Sequence, residues 1–213
     1  MTAHEHVKAT RETWMDAARH ALITAGEEQV KVALLGAQLG VSRSSFYWYF
    51  RDRQDLLDAL LEEWEATNTA ALVAQAQAPA ANITAAICNV FKCFVSQDTF
   101  HTPLDFAIRD WARRDESVRA ALDASDARRL DALQEMFARY GYAPTDALVR
   151  ARVLYYMQIG YNAAELNEPM ERRITLNPYY VACFSGQDPT APDLAAFAAF
   201  ARQQVGERHD EQS

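Results

Sequence analysis

Residues that interrupt helices are scarce in this chain: 7 glycines and 7 prolines among 213 residues. No segment shows the strict apolar and polar alternation of a half-buried strand, so a β-rich fold is not expected. The three cysteines, Cys88, Cys93 and Cys183, are an odd number without metal-ligand spacing, which points to buried thiols and away from a disulfide framework or zinc site. His4 and His6 near the start are too isolated to make a metal site, and no metal is expected. Apolar runs never approach the ~20 residues of a bilayer span, and the charged residues between Glu5 and Arg19 do not read as a signal peptide. A cytoplasmic protein without a membrane partner is expected. Catalytic signatures are missing too: there is no Gly-rich phosphate loop, Gly-x-Ser-x-Gly turn, His-Glu-x-x-His or Cys-x-x-Cys. The acidic pairs Asp110 with Asp115 and Asp126 with Asp131 lie among arginines and read as solvated helix faces. Neither an enzyme nor a cofactor is expected.

What is present is helix-forming. Half of the residues are apolar (50%), enough to bury a core, and Ala, Leu, Glu and Arg abound, so the expected fold class is all-α. A first helix is expected over Arg11–Ala25, capped by Thr10 and ended by Gly26, with Trp14, Ala17, Ala18, Ala21, Leu22 and Ala25 as one apolar stripe. A long helix should start at Arg53 and run through Leu57, Leu60, Leu61 and Trp64 to Gln77, before Pro79. Further helices are expected at 82–97, 103–121 with a break near Asp115, 123–140, 145–166 and 191–205. The stretch 167–188, with Pro178, Tyr179, Tyr180 and Phe184, reads as a long connection packed on the body.

Residues 31–57 carry the most informative pattern. Val32, Leu35 and Leu39 share one helix face, and Gly40 ends that helix. Ser42 is a suitable N-cap for a second, short helix, its hydroxyl accepting from the amides of Ser44 or Ser45. Phe46 and Phe50, four apart, must face the core. The other side then offers Arg43, Ser44, Ser45, Tyr47 and Tyr49, donors suited to phosphates and base edges. This is a helix-turn-helix followed by the start of a third helix, which delivers side chains into the major groove of DNA.

The segment Gly40-Val41-Ser42, the run Phe46-Tyr47-Trp48-Tyr49-Phe50, then Arg53 and Leu56-Leu57 resemble the TetR (AcrR-like) family of bacterial transcription regulators over about residues 10–65. Two positions depart from the family pattern: Lys31 stands where a capping Thr or Ser is usual, and Gly36 where Ala is usual, at a cost of roughly 0.5 to 1 kcal/mol in a helix interior. Arg53 keeps the positive charge usual at its position and adds a planar fork suited to phosphate. The expected DNA-binding set is Lys31, Ser42, Arg43, Ser44, Ser45, Tyr47, Tyr49 and Arg53.

Charge constrains how DNA is held. The net charge is −8; residues 1–60 hold 7 Lys or Arg against 8 Asp or Glu, and the remainder 14 against 21. The positive side chains Lys8, Arg11, Lys31, Arg43, Arg51 and Arg53 must therefore gather on one face, and two subunits must act together.

The resemblance implies a helix-turn-helix domain, here 1–55, and a helical effector-binding and dimerisation domain, 56–213. It further implies a homodimer paired through the last two long helices, here 145–166 and 191–205, where Gly160, Ala163, Ala164 and several alanines between 195 and 201 allow close approach. A double-stranded DNA operator and a small-molecule effector are the implied partners. Phe91, Phe94, Phe106, Trp111, Phe137, Tyr155, Gln158 and Asn162 are the expected cavity wall, suited to a neutral apolar or aromatic effector. The expected function is a ligand-responsive repressor; the alternative is a helical small-molecule-binding dimer that does not read specific DNA, kept open by the near-neutral first 60 residues and by Gly36.

Overall fold

The computed structural model describes residues 9–96 and 99–210, with side chains up to Val205. His4, His6 and Lys8 lie outside the described residues. The described residues form α1 (Arg11–Ala25), a 3₁₀ turn (Glu27–Gln29), α2 (Val32–Leu39), α3 (Arg43–Phe46), α4 (Arg53–Trp64), a π-turn (Glu65–Thr69), α5 (Ala70–Gln77), α6 (Ile83–Val95), α7 (Thr102–Trp111), α8 (Glu116–Arg139), α9 (Pro144–Ala163), α10 (Met170–Ser185) and α11 (Ala191–Asp210). No strand occurs among them. The fold is all-α, as the composition and periodicity require.

Packing divides the chain into two compact units, one of the described residues up to Glu65 with Pro103–Leu122, the other of Ala66–Thr102 with the residues from Asp123 onward. These units are cut differently from the expected 1–55 and 56–213. The reason is burial: Leu56, Leu57, Leu60 and Trp64 sink the whole of α4 into the first unit's core, where Leu104, Ile108 and Trp111 of α7 join them.

In the first unit, α1 begins at a reciprocal cap. The Thr13 amide donates to Thr10 Oγ1 at 3.2 Å and the Thr10 amide to Thr13 Oγ1 at 2.8 Å, so two otherwise orphaned donors are satisfied. Gly36 explains itself through space: a Cβ there would stand 3.3 Å from the Val41 carbonyl oxygen and 3.5 Å from the Trp14 ring. The contact with the ring is an ordinary one, whereas the glycine relieves the close approach of the Val41 carbonyl, which offsets its propensity cost. Gly40, at φ +68°, closes α2 in the left-handed conformation that glycine tolerates. Deeper in the unit, Trp64 Nε1 donates to Asp105 Oδ1 at 2.8 Å, and Arg109 Nε donates to Asp105 Oδ2 at 2.9 Å. A carboxylate that is buried needs such partners, and here it ties α4 to α7.

Two expectations about the later helices are corrected. Residues 116–139 form one helix without a break at 122, whereas the break near Asp115 is real: its carboxylate accepts from the Ser117 hydroxyl and from the Ser117 and Val118 amides. Those bonds, the hydroxyl's foremost, hold the Asp115 carboxyl below the usual carboxylate range. The stretch expected as a connection contains α10, which continues through Pro178. Pro178 removes one backbone bond, but Asn177, Val181, Phe184 and Ser185 are buried at helical spacing, and that packing sustains the helix. The second unit's core joins α10 and α11 to α6, with Phe91 edge-on to both Phe184 and Phe197. No described helix is long and apolar enough to cross a membrane, and the described residues hold no group of three or more His, Cys, Asp or Glu placed to bind a metal ion.

Replacing Asp105 by alanine removes the carboxylate that accepts from both the Trp64 indole N–H and the Arg109 guanidinium. Urea denaturation of Asp105→Ala is expected to show a loss of about 3 kcal/mol, and Asp105→Asn, which still accepts from Trp64, a smaller one.

Candidate nucleic-acid interface

The turn after α2 and the four-residue α3 form a small exposed surface. Arg43, Ser44 and Tyr47 are exposed, and Trp48 is the most exposed large apolar side chain described, at 83%. The inner side is aromatic: Phe46 is fully buried, edge-on to Trp14 at 5.2 Å and stacked on Phe50 at 5.3 Å. Trp48 was missing from the expected set, although the inward pair Phe46 and Phe50 leaves positions 47 and 48 to point outward.

The eight expected DNA-binding residues divide by what they touch. Ser42 is the N-cap of α3, but its hydroxyl makes no capping bond; it shares a 2.8 Å hydrogen bond with the Ser44 hydroxyl. Ser45 Oγ donates back to the Ser42 carbonyl at 2.8 Å. Lys31 is exposed at the N-cap of α2. Tyr49 is half-buried, with its hydroxyl donating to the Ala9 carbonyl at 2.9 Å. Arg53 turns inward as well: Nε donates to the Val30 carbonyl and Nη2 to the Glu27 carbonyl, each at 2.7 Å, and Nη2 also meets the Glu27 carboxylate. The planar fork expected to hold phosphate therefore fastens the segment before α2 to the start of α4. Arg51 is exposed and bonds Asp55, and those bonds hold the Asp55 carboxyl below the usual carboxylate range.

The expected cavity wall is dispersed. Phe106 and Trp111 belong to the first unit, Trp111 within its core. Phe94 packs edge-on to Phe100 and Phe137 edge-on to Tyr142, both as core contacts. Tyr155 is buried, accepting from Arg129 Nη1 at 3.1 Å and donating to Asp126 Oδ1 at 2.6 Å. Asp126 is thus part of a buried network and not of a solvated face. Arg129 is itself fully buried; its Nε donates to Thr69 Oγ1 and its guanidinium lies over Phe100. The spacing of Ser125, Arg129, Ala132 and Met136 along α8 marks that inner stripe in the sequence. Phe91 and Gln158 do line a cleft, together with Tyr161, Asn177, Tyr180 and Phe197, and Asn162 supports it by accepting from Gln158 Nε2 at 3.0 Å.

Residues 15–60 match the sequence profile of the bacterial regulatory proteins of the tetR family. The chain carries the N-terminal domain of the tetR family. Over 97% of its length it also superposes on 98% of the crystal structure of Mycobacterium smegmatis AmtR, with a TM-score of 0.60 at 18% sequence identity; this likeness extends to the fold alone. A comparison with curated proteins finds no match. In the tetR-family domain, then, the helix-turn-helix is the α2–α3 pair, and its exposed side chains are those named above.

The inward bonds of Arg53 and Tyr49 give them a measurable structural role. Urea unfolding should show losses of about 1 to 2 kcal/mol for Arg53→Ala and about 1 kcal/mol for Tyr49→Phe, against less than about 0.5 kcal/mol for Arg43→Ala.

Proposed function

We propose that the protein is a homodimeric, ligand-responsive transcription repressor acting in the cytoplasm, with operator reading in residues 1–55 and effector binding and dimerisation in residues 56–213. The observation that carries the DNA reading is the tetR-family domain with Arg43, Ser44, Tyr47 and Trp48 exposed on one small surface. Arg43 supplies a planar fork for guanine or phosphate; Tyr47 and Trp48 supply flat faces for sugars and thymine methyl groups. Lys31, Ser42 and Ser45 lie on the elements flanking these side chains and serve as backbone contacts, while Tyr49 and Arg53 hold the surface in place.

Dimerisation is assigned to α9 and α10. Val149, Val153, Tyr156, Gly160 and Ala163 are exposed along one stripe of α9, and Thr175, Tyr179 and Cys183 are exposed at four-residue spacing on α10. Helix α11, one of the pair expected from the sequence, turns Phe197 and Ala201 into its own unit's core. Two α9–α10 pairs related by a two-fold axis make a four-helix bundle. The recognition segments of such a dimer meet successive major grooves, roughly 34 to 36 Å apart. The effector favours a conformer in which that spacing is lost, with the helix that starts at Arg53 as the lever, and operator affinity falls.

The decisive experiment selects sites from a randomised duplex pool and compares their affinity with scrambled DNA at fixed salt. A two-fold-symmetric site bound at least a hundredfold more tightly is expected; no enrichment by folded dimer would favour the binding protein that does not read DNA. On the selected site, Arg43→Ala and Trp48→Ala should each weaken binding about tenfold without altering the dimer. Val153→Asp combined with Tyr179→Asp should yield folded monomer by light scattering and lose operator binding; a persistent dimer would move the interface elsewhere.

A further inference from the structure

The cleft between α6, α9, α10 and α11 is mostly aromatic, walled by Phe91, Tyr161, Tyr180 and Phe197, yet two amide side chains line it from facing helices. Gln158 of α9 and Asn177 of α10 are more than nine-tenths buried. Gln158 gives its Nε2 to Asn162, which leaves its Oε1 without a donor among the described residues. Asn177 Oδ1 faces the Cys88 thiol, with Sγ at 3.8 Å. Burial, foremost, and the nearby Asp193 carboxylate push that thiol up to about 12, so it stays protonated and donates. The Asn177 Nδ2 donors have no acceptor among the described residues. Neither of these two atoms is closed off from solvent, so they present one acceptor and one donor to the open space of the cleft.

Charge at the cleft is balanced. Glu168 and Arg173 both line it; Glu168 accepts from the Tyr161 hydroxyl at 2.7 Å and Arg173 lies over the Tyr161 ring. An anion would meet the Gln158 oxygen and Glu168, and a cation would meet Arg173 and the Asn177 amide hydrogens. The space measures about 40 Å³, about three waters' worth on a scale where one water needs ~10–15 Å³, hence a ligand of about four heavy atoms.

We propose that this cleft binds a small neutral primary amide, its N–H donating to Gln158 Oε1 and its carbonyl accepting from Asn177 Nδ2, with the short alkyl end against Phe91 and Phe197. The proposal rests on the effector-binding reading above and names the chemical class of effector for it.

The test uses the full-length protein without DNA, so its outcome does not depend on whether an operator exists. Calorimetric or NMR titration with acetamide should give a dissociation constant on the order of 1 mM, as suits so few atoms. Acetate and ethylammonium, matched in size, should bind at least tenfold more weakly. Gln158→Leu and Asn177→Leu should each weaken acetamide binding about tenfold or more. Gln158→Glu, which keeps shape and fold but turns acceptor into anion, should restore binding to ethylammonium instead. No saturable acetamide binding by folded protein, equal binding of acetate, or binding indifferent to both leucine variants would overturn the proposal. Operator release by acetamide, read separately on the selected DNA, tests the regulator reading and not the site.

Discussion

The whole exposed surface of the helix-turn-helix hangs on the contact of Phe46 with Trp14. Helix α3 is four residues long and its N-cap serine makes no capping bond, so it has no stability of its own. Its position is borrowed from the ring that anchors it: Phe46, wholly buried, is wedged edge-on to Trp14 and stacked on Phe50. Trp14 in turn lies on α1, fixed at its start by the Thr10 and Thr13 pair, and its ring packs within contact distance of Gly36 on α2. A side chain that never touches solvent thus decides where Arg43 and Trp48 point.

That dependence clarifies how an acidic protein with so few cations can present any to DNA. Several arginines serve the interior: Arg53 closes the 3₁₀ turn onto α4, Arg109 serves Asp105, and Arg129 sits in the core against Thr69, Tyr155 and Phe100. Arg43, Arg51 and Lys31 are exposed along the same short stretch, and Arg51 shares its charge with Asp55. Under the proposed operator reading, affinity from so small a set would come from geometry repeated by symmetry, which makes the proposed dimer a requirement of binding and not an accessory to it.

What the sequence disclosed was local. Caps and helix ends are written in adjacent residues, so Thr10, Gly26, Gly40 and the inward pair Phe46 and Phe50 could be read at once, and with them the helix-turn-helix. Partners distant in sequence were not legible. Nothing near Arg53 announces the carbonyls of Val30 and Glu27, and nothing near Tyr49 announces Ala9. Asp126 was misread as solvated because its partner Tyr155 lies 29 residues on. Helix α10 was hidden by Pro178, a strong local signal overruled by the burial of Val181 and Phe184. The candidate cleft was half visible: Gln158 and Asn162 stood out as amides in register on an apolar helix, whereas Asn177 lay in the stretch taken for a connection.

Helix α9 bears both the amide that lines the cleft and the exposed apolar stripe proposed for the partner subunit, so the proposed ligand and the proposed dimer would act on one rigid element. The energetics limit how they can be coupled. Moving a population from 1:99 to 99:1 takes about 5.5 kcal/mol of differential affinity, while a ligand of four heavy atoms has at most about 6 kcal/mol of total affinity, roughly 1.5 per atom. Only the difference in affinity between the two conformers counts, and it is smaller than the total. At the millimolar affinity expected of so small a ligand, about 4 kcal/mol, one amide falls short of that figure, whereas in the proposed dimer two, one per subunit acting on a shared interface, would sum their differences. On the proposed reading the response to such an effector would be steep in its concentration, and the symmetry that would let weak DNA contacts suffice is the same symmetry that would let a weak ligand release them.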